Sequence, residues 1–231
     1  MRFVTWNMGC GPGSTYRPTH EAAWRYLLEV LSPDVALVQE ALLSAEALVR
    51  SFGSLVWSKK RPGGSGSGTG IFVRGGVDFT PIDVSIDGSY AAAVRVAVRG
   101  VPTEVVSVHV GPEKLRRNLE ALRAWLVDHV LPDNPFVVVG DLNSSRSFAP
   151  WYSEYLGELS TLGLHDCHWS LHEKESPSFW GRKSAEARYQ DDHFFTNRSL
   201  GQFARVCAVV DNEITRRFSD HGPVKLELDA G

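Results

Sequence analysis

Two periodicities alternate along this chain, and each change of period marks a change of element. Phe3-Val4-Thr5-Trp6-Asn7 is a short β-prone run, and the Gly- and Pro-rich stretch from Gly9 to Pro18 behind it reads as a loop that ends at a helix start near Thr19. Ala22, Ala23, Tyr26, Leu27, Val30 and Leu31 then follow helical spacing until Pro33 closes the helix. Val35-Ala36-Leu37-Val38 is a continuous apolar run, the pattern of a strand buried on both faces, and it ends in Gln39-Glu40. Leu55 to Trp57 and Ile71 to Val73 flank a glycine-rich loop as a hairpin; alternating strands follow at Ala92 to Val98 and Glu104 to Val110, the second delivering His109. Pro112 to Val130 predicts an amphipathic helix, with Leu115, Leu119, Leu122, Leu126 and Val130 about one turn apart and Pro112 in its first turn. Phe136 to Val139 is another fully buried strand, running into Gly140-Asp141-Leu142-Asn143. Further strands are expected over Tyr189 to Thr196, with Asp191, Asp192 and His193 inside it, over Val206 to Val210 and, after Phe218-Ser219-Asp220-His221-Gly222-Pro223, over Val224 to Leu228. Helices and strands alternate early and strands succeed one another later, which predicts mixed sheets covered by helices, an α/β (α+β) architecture.

Composition narrows the class. The chain has 231 residues, 43% hydrophobic and 22% charged, enough to bury a core as one domain over 1–231. Its 24 Lys+Arg stand against 27 Asp+Glu, a net charge of -3, so no global basic field exists to hold a long polyanion. Cys10, Cys167 and Cys207 are scattered and show no C-x-x-C spacing, which speaks against a disulfide framework and a zinc knuckle and for a reducing, cytoplasmic setting. No leader-like start and no apolar stretch long enough to cross a bilayer is visible.

The polar residues at the ends of the apolar runs carry the candidate chemistry. A charged or amide side chain is costly to bury alone, so several converging from different strands pair with each other or hold a metal. Asn7, Glu40, Asp141, Asn143, Asp192 and Asp220 offer the oxygen donors that suit a hard cation such as Mg²⁺, whereas zinc calls for Cys or His at tighter spacing.

In order along the chain, Thr5-Trp6-Asn7, Val38-Gln39-Glu40, Ser107-Val108-His109, Val139-Gly140-Asp141-Leu142-Asn143, Asp192-His193-Phe194-Phe195 and Ser219-Asp220-His221 resemble the motifs of the endonuclease/exonuclease/phosphatase superfamily, the DNase I-like metal-dependent phosphoesterases. Each segment alone is common; six in the family's order are specific. The resemblance implies a four-layer sandwich of two facing mixed sheets flanked by helices, with a site at one open edge, and a Mg²⁺ (or Mn²⁺) cofactor. It implies that Glu40 is the principal metal ligand, with Asn7 beside it and Asp220 at the same or a second metal. Asp141 orients or deprotonates the attacking water, and Asn143 holds the water or a phosphate oxygen. His221, paired with Asp192, donates to the phosphate, and His109 contacts another phosphate oxygen or the leaving group. Asp141 and His221 both stand open as the base, and Asp191 competes with Asp192 through a one-residue register. Ser178-Phe179-Trp180, followed by Tyr189, resembles a Thr-Phe-Trp segment close to substrate in several branches, which makes Phe179, Trp180 and Tyr189 candidate substrate contacts.

The implied activity is hydrolysis of a phosphate ester by a phosphodiesterase or nuclease, with DNA and RNA open as substrates. A phosphomonoesterase acting on a phospholipid head group or sugar phosphate is the alternative, and a catalytically silent module binding nucleic acid or protein the alternative of another class. Gly9 stands where the abasic-site repair branch has an acid, which argues against that branch. His20, His129, His165, His168 and His172 read as structural, and Trp151 as core packing. Pro62 to Gly70 lacks the Gly-Lys-Ser/Thr ending of a P-loop, while Lys59-Lys60-Arg61 and Arg216-Arg217 read as solvated surface.

Overall fold

The computed structural model describes residues 1–11, 14–59, 66–131, 134–180 and 187–229. Among them the strands are β1 (Arg2–Asn7), β2 (Val35–Leu42), β3 (Gly53–Lys59), β4 (Ser67–Arg74), β5 (Phe79–Ile82), β6 (Ser89–Val98), β7 (Val101–Val110), β8 (Phe136–Asp141), β9 (Leu164–Asp166), β10 (Phe179–Trp180), β11 (Ala187–Tyr189), β12 (Asp192–Asn197), β13 (Ala204–Val209) and β14 (Val224–Leu228). Two six-stranded sheets result, ordered β13-β14-β1-β2-β4-β3 and β5-β6-β7-β8-β12-β9, with β10 and β11 as a separate pair. Each large sheet has one parallel pair, β1 with β2 and β7 with β8, inside otherwise antiparallel neighbours. The expected mixed sheets are therefore present, in the DNase I-like arrangement.

The two sheets face each other across a dry core of Phe3, Val35, Leu37, Val94, Val105, Val137, Val139, Phe194 and Leu226. Helices cover the outer faces. Trp6, Ala36, Val38 and Phe72 pack against Trp24, Leu27 and Leu28 on one side; on the other, Val106, Val108 and Val138 pack against Leu119, Leu122 and Leu126 of helix 115–129 and Tyr155 and Leu156 of helix 150–158. Following the period of two along the inward face, apolar residues give way to polar ones toward one edge: Phe3, Thr5, Asn7 on β1; Leu37, Gln39 on β2; Val105, Ser107, His109 on β7; Val139, Asp141 on β8. Just below that edge Gln39 donates from Nε2 to Ser107 Oγ at 3.0 Å, and Thr5 donates to Gln39 Oε1 at 3.3 Å, so this layer is satisfied before the site is reached.

Four expectations are corrected. The first helix turns a different face inward: Ala23, Trp24, Leu27, Leu28 and Leu31 are buried, while Val30 is 62% exposed. Its second half, Tyr26–Leu31, is wound as a π-helix, which a 3.6-residue template misplaces. The later helix starts at Leu115 instead of Pro112, because Asn118 Nδ2 donates to the carbonyls of Gly111 and Glu113, both at 2.8 Å, and Lys114 takes a left-handed φ of 60°. The expected strand over Tyr189 to Thr196 breaks at Gln190-Asp191, where the carbonyl of Asp191 accepts from Leu142 N at 2.9 Å. Finally, β13 runs Ala204–Val209, starting and ending ahead of the expected span. Residues 62–65 of the glycine-rich stretch and Lys60-Arg61 lie outside the described residues, and Ser67 to Gly70 of that stretch belong to β4.

The close approach of β8 to β7 gives a test of this packing. At Gly140, φ is 140° and an added Cβ would lie 2.0 Å from the Val108 carbonyl oxygen and 2.9 Å from Gln39 Nε2. Gly140→Ala is expected to cost roughly 3 kcal/mol or more, read from urea denaturation. A loss within the noise of the measurement would show that this backbone contact is not tight.

Candidate functional site

Topology gathers the candidate residues. The parallel pairs β1/β2 and β7/β8 end at one edge of the sandwich, bringing Asn7, Glu40, His109 and Asp141 there. Two antiparallel partners begin at the same edge: β12 starts with Asp192 opposite Asp141, and the segment before β14, which pairs with β1, carries Asp220 and His221. Across the gap between sheets, Asn7 Nδ2 donates to Asp141 Oδ2 at 2.7 Å. The other oxygen of Asp141 accepts from the backbone N–H of Asn143 at 2.7 Å. His109 Nε2 and His221 Nε2 stand 3.7 and 3.9 Å from Asp141 Oδ2. Behind His221, Nδ1 meets Asp192 Oδ2 at 2.8 Å, so the register falls on Asp192 and not Asp191. Asn143 sits beside them with a left-handed φ of 49°, its side-chain amide donating to the Val110 carbonyl at 2.9 Å.

Charge in this cluster is controlled by burial. Asp141 is 1% exposed; burial raises its carboxyl, the two histidines and the Asn143 N–H oppose that, Asp192 adds to it, and the balance stays above the usual carboxylate range. Burial alone would lower His221, but Asp192 and Asp141 outweigh it and hold the imidazole well above its ordinary value. Asp191 is buried next door, pushed up to about 8 by desolvation and then by Asp141.

Glu40 and Asp220 approach the turn at Gly9–Gly11 from two sides. A Cβ on Gly9 would come 2.8 Å from Asp220 Oδ1, and one on Gly11 2.9 Å from Glu40 Oε2. The Cys10 thiol between them is pushed up to about 12 by burial, with Arg17 opposing and Glu40 and Asp220 adding. Glu40 is the extra residue of a β-bulge: pairing with β4 skips from Val38 to Ala41, and Glu40 takes a left-handed φ of 46° that redirects its side chain. Two carboxylates at an open edge are a donor set that fits a hard divalent cation, which takes one or two carboxylates and completes its shell with water and phosphate oxygens. No closed group of three or more His, Cys, Asp or Glu stands there among the described residues. The amide of Asn7 is engaged elsewhere, with Nδ2 on Asp141 and Oδ1 accepting from Gly9 N at 2.9 Å, which leaves one lone pair on Oδ1 for a ligand role.

Of the aromatic candidates, Phe179 comes to the site, its ring 4.8 Å from that of His221. Trp180 is buried behind it with Arg216 over its ring at 5.1 Å, and Tyr189 stacks edge-on against Phe148 at 4.5 Å. Several supporting contacts are not legible in the sequence. Ser178 donates to Asp192 Oδ2 at 2.7 Å while its Oγ accepts from the N–H groups of Asp191 and Asp192; Trp6 Nε1 donates to the His221 carbonyl at 2.8 Å; Ser219 Oγ donates to the Asn7 carbonyl at 2.7 Å. On the outer face of the second sheet, His193 meets Asp166 Oδ2 at 3.1 Å through Nδ1 and the Ser144 carbonyl at 2.9 Å through Nε2. Two acceptors require two N–H donors, hence an imidazolium. It ties the loop that follows Asp141 to helix 167–172, whose N-terminus Asp166 caps. Trp6, Ser178, His193 and Ser219 lie inside the segments that carry the resemblance, which do not show the partners they bond; Asp166 and Ser144 lie outside them.

A sandwich of this topology with acids and histidines at one edge defines a phosphoesterase of the DNase I-like class. The family model of the endonuclease/exonuclease/phosphatase family matches residues 4–221, and the chain belongs to that family. Family members of this kind are hydrolases acting on phosphate esters, and the chain is one of these enzymes. Among solved structures, a 3'-5' exonuclease from Neisseria meningitidis superposes with a TM-score of 0.76 at 20% identity, covering 99% of this chain and 100% of that one. A Neisseria 3' phosphatase bound to a product DNA hairpin gives 0.73 at 19% identity, covering 99% of each chain. An AP endonuclease from Archaeoglobus fulgidus gives 0.73 at 17%, again over 99% of each. Among curated proteins none matches in sequence. No helix among the described residues is long and apolar enough to cross a membrane.

The His193–Asp166 pair makes stability depend on pH. Although burial disfavours the charged ring, Asp166 raises His193 to about 9 in the folded chain, above the ordinary 6.5. Its contribution is therefore complete below about pH 6.5 and lost as pH rises through about 9, a change on the order of 3 kcal/mol. Denaturant unfolding between pH 6 and 10 should show this alkaline decline in the wild type and a much flatter one in His193→Gln. Equal slopes in the two proteins would refute the assignment.

Proposed function

We propose that this enzyme is a Mg²⁺- or Mn²⁺-dependent phosphodiesterase or nuclease that cleaves its ester by in-line attack of water, and that 1–231 acts as one such domain. The observation that carries the reading is the suspension of Asp141 between Asn7, the Asn143 N–H and two histidines, with Glu40 and Asp220 at the turn Gly9–Gly11 that follows Asn7. Glu40 and Asp220 hold the cation, with the free lone pair of Asn7 Oδ1 within the same turn. When bound, the cation neutralises charge on the phosphate oxygens. Asp141, with Asn7 Nδ2 on one oxygen and the Asn143 N–H on the other and an imidazole to either side, orients the attacking water and takes its proton.

His221, with Nδ1 turned to Asp192, presents Nε2 to the phosphate as a donor where negative charge develops. His109 does the same from the other side, toward a second phosphate oxygen or the leaving group. Asn143 frames the water against Asp141, and Phe179 supplies an apolar wall beside His221. Nucleic acid is the substrate to try first, because the names of the similar folds are those of enzymes acting on DNA ends and abasic sites. The likeness to the Neisseria 3' phosphatase supports the phosphomonoesterase reading, and product analysis on 3'-phosphorylated oligonucleotides separates the two.

With DNA, RNA and small phosphodiesters as substrates, chelation by EDTA is expected to abolish cleavage and added Mg²⁺ or Mn²⁺ to restore it. Asp141→Asn should lose roughly 10²–10⁴-fold in kcat and His221→Ala roughly 10²–10³-fold. Full activity in EDTA, or in Glu40→Gln, would sink the metal-dependent mechanism.

A further inference from the structure

Glu40 is held in a strained conformation, and the residue that holds it lies outside the site's motifs. Past the bulge, β2 has outrun its parallel partner: the pairing of β1 with β2 ends at Asn7 opposite Gln39. The backbone beyond that point must find other partners on this edge. Gln39 O accepts from Met8 N at 2.8 Å and Glu40 O from Cys10 N at 3.0 Å. The next group on the same edge, the N–H of Leu42, donates at 2.9 Å to Nε2 of His20, which is 1% exposed. The same nitrogen accepts from Trp24 Nε1 at 3.0 Å. Both neighbours are obligate donors, so Nε2 carries no proton and the proton sits on Nδ1, which faces Ser44 Oγ at 3.3 Å.

Burial and then Arg17 push the imidazole down to about 4, so it stays a neutral acceptor at working pH. The ring thus stands where a neighbouring strand's carbonyl would be, clamping the backbone two residues beyond Glu40 while Cys10 clamps it at Glu40 itself.

We infer that His20 is a positioning residue for Glu40: its imidazole closes the open edge of β2 and so keeps the bulged carboxylate aimed at the cation. A left-handed non-glycine residue persists only where its surroundings over-determine it. Remove the acceptor and the part-buried N–H of Leu42 is left unpaired, free to relax the bulge toward ordinary pairing with β4. This inference rests on the reading of Glu40 as a metal ligand.

Binding of Mn²⁺ alone, followed by electron paramagnetic resonance in the full-length protein, tests both and separates them. His20→Phe, which keeps ring volume and loses the acceptor, is expected to weaken Mn²⁺ binding about tenfold to a hundredfold, as loss of an orienting partner does at other metal sites. His20→Gln, whose carbonyl oxygen can reach the place of Nε2, should bind close to wild type. Wild-type affinity in folded His20→Phe, with binding lost in Glu40→Gln, overturns the role of His20 alone. Wild-type affinity in Glu40→Gln instead overturns the assignment of Glu40. If His20→Phe does not fold, His20→Ala takes its place beside His20→Gln: binding weakened in His20→Ala and kept in His20→Gln supports the positioning role, and wild-type affinity in both overturns it.

Discussion

The hydrogen bond from Asn7 to Asp141 joins the two sheets at the edge where the chain concentrates its acids, and the surrounding arrangement follows from the cost of having Asp141 there. A carboxylate removed from water is tolerated only when hydrogen bonds and opposite charge replace the lost solvation. Asp141 is supplied from both sheets: an amide from β1, a backbone N–H from its own loop, and imidazoles from β7 and from the segment before β14. Each donor needs its own support. His221 is turned by Asp192, Asp192 is fixed by Ser178, and the His221 carbonyl is held by Trp6. The polar layer of Thr5, Gln39 and Ser107 beneath lets the core change from dry to polar over one pleat without leaving these groups unsatisfied.

The second constraint is backbone strain at Glu40. Every other site strand delivers its residue by running straight off its end; β2 delivers Glu40 by a bulge, at a cost on the order of 1–3 kcal/mol for a left-handed non-glycine residue. That cost is offset by the bond from Cys10 N to the Glu40 carbonyl and, two residues on, by the bond from Leu42 N to His20 Nε2, and the bulge places the carboxylate against the turn at Gly11, where a Cβ would press on Glu40 Oε2. Gly9 suits its place for a local reason: its φ of 60° is left-handed, and a Cβ there would press on Asp220 Oδ1.

Much of this site was legible in the sequence because apolar runs that end abruptly in Asn7, Glu40, His109 and Asp141 can only be buried strands with their polar ends at an edge. Period-two alternation sets which face each residue takes, and the order of the six segments sets the family. The first helix shows where such reading stops: its buried face, with Trp24 and Leu28 inward and Val30 out, depends on π winding and on a tryptophan whose N–H finds His20. No local pattern encodes a partner 22 residues away, as Leu42 is to His20.

The sequence by itself therefore determined most of the strands and their polar ends, which depend on neighbours within a few positions, and the family, which rests on the order of the six segments along the chain. Tertiary structure decided the rest. It set Asp192 rather than Asp191 behind His221, engaged most of Asn7's amide on Asp141 and Gly9, brought Phe179 and not Trp180 to the histidine, and recruited Ser178, Trp6 and His20 as supports. Apart from the local bond of Asn7 with Gly9, each of those outcomes is a hydrogen bond or ring contact between segments separated in the chain, and its partner is chosen only when the tertiary fold brings them together.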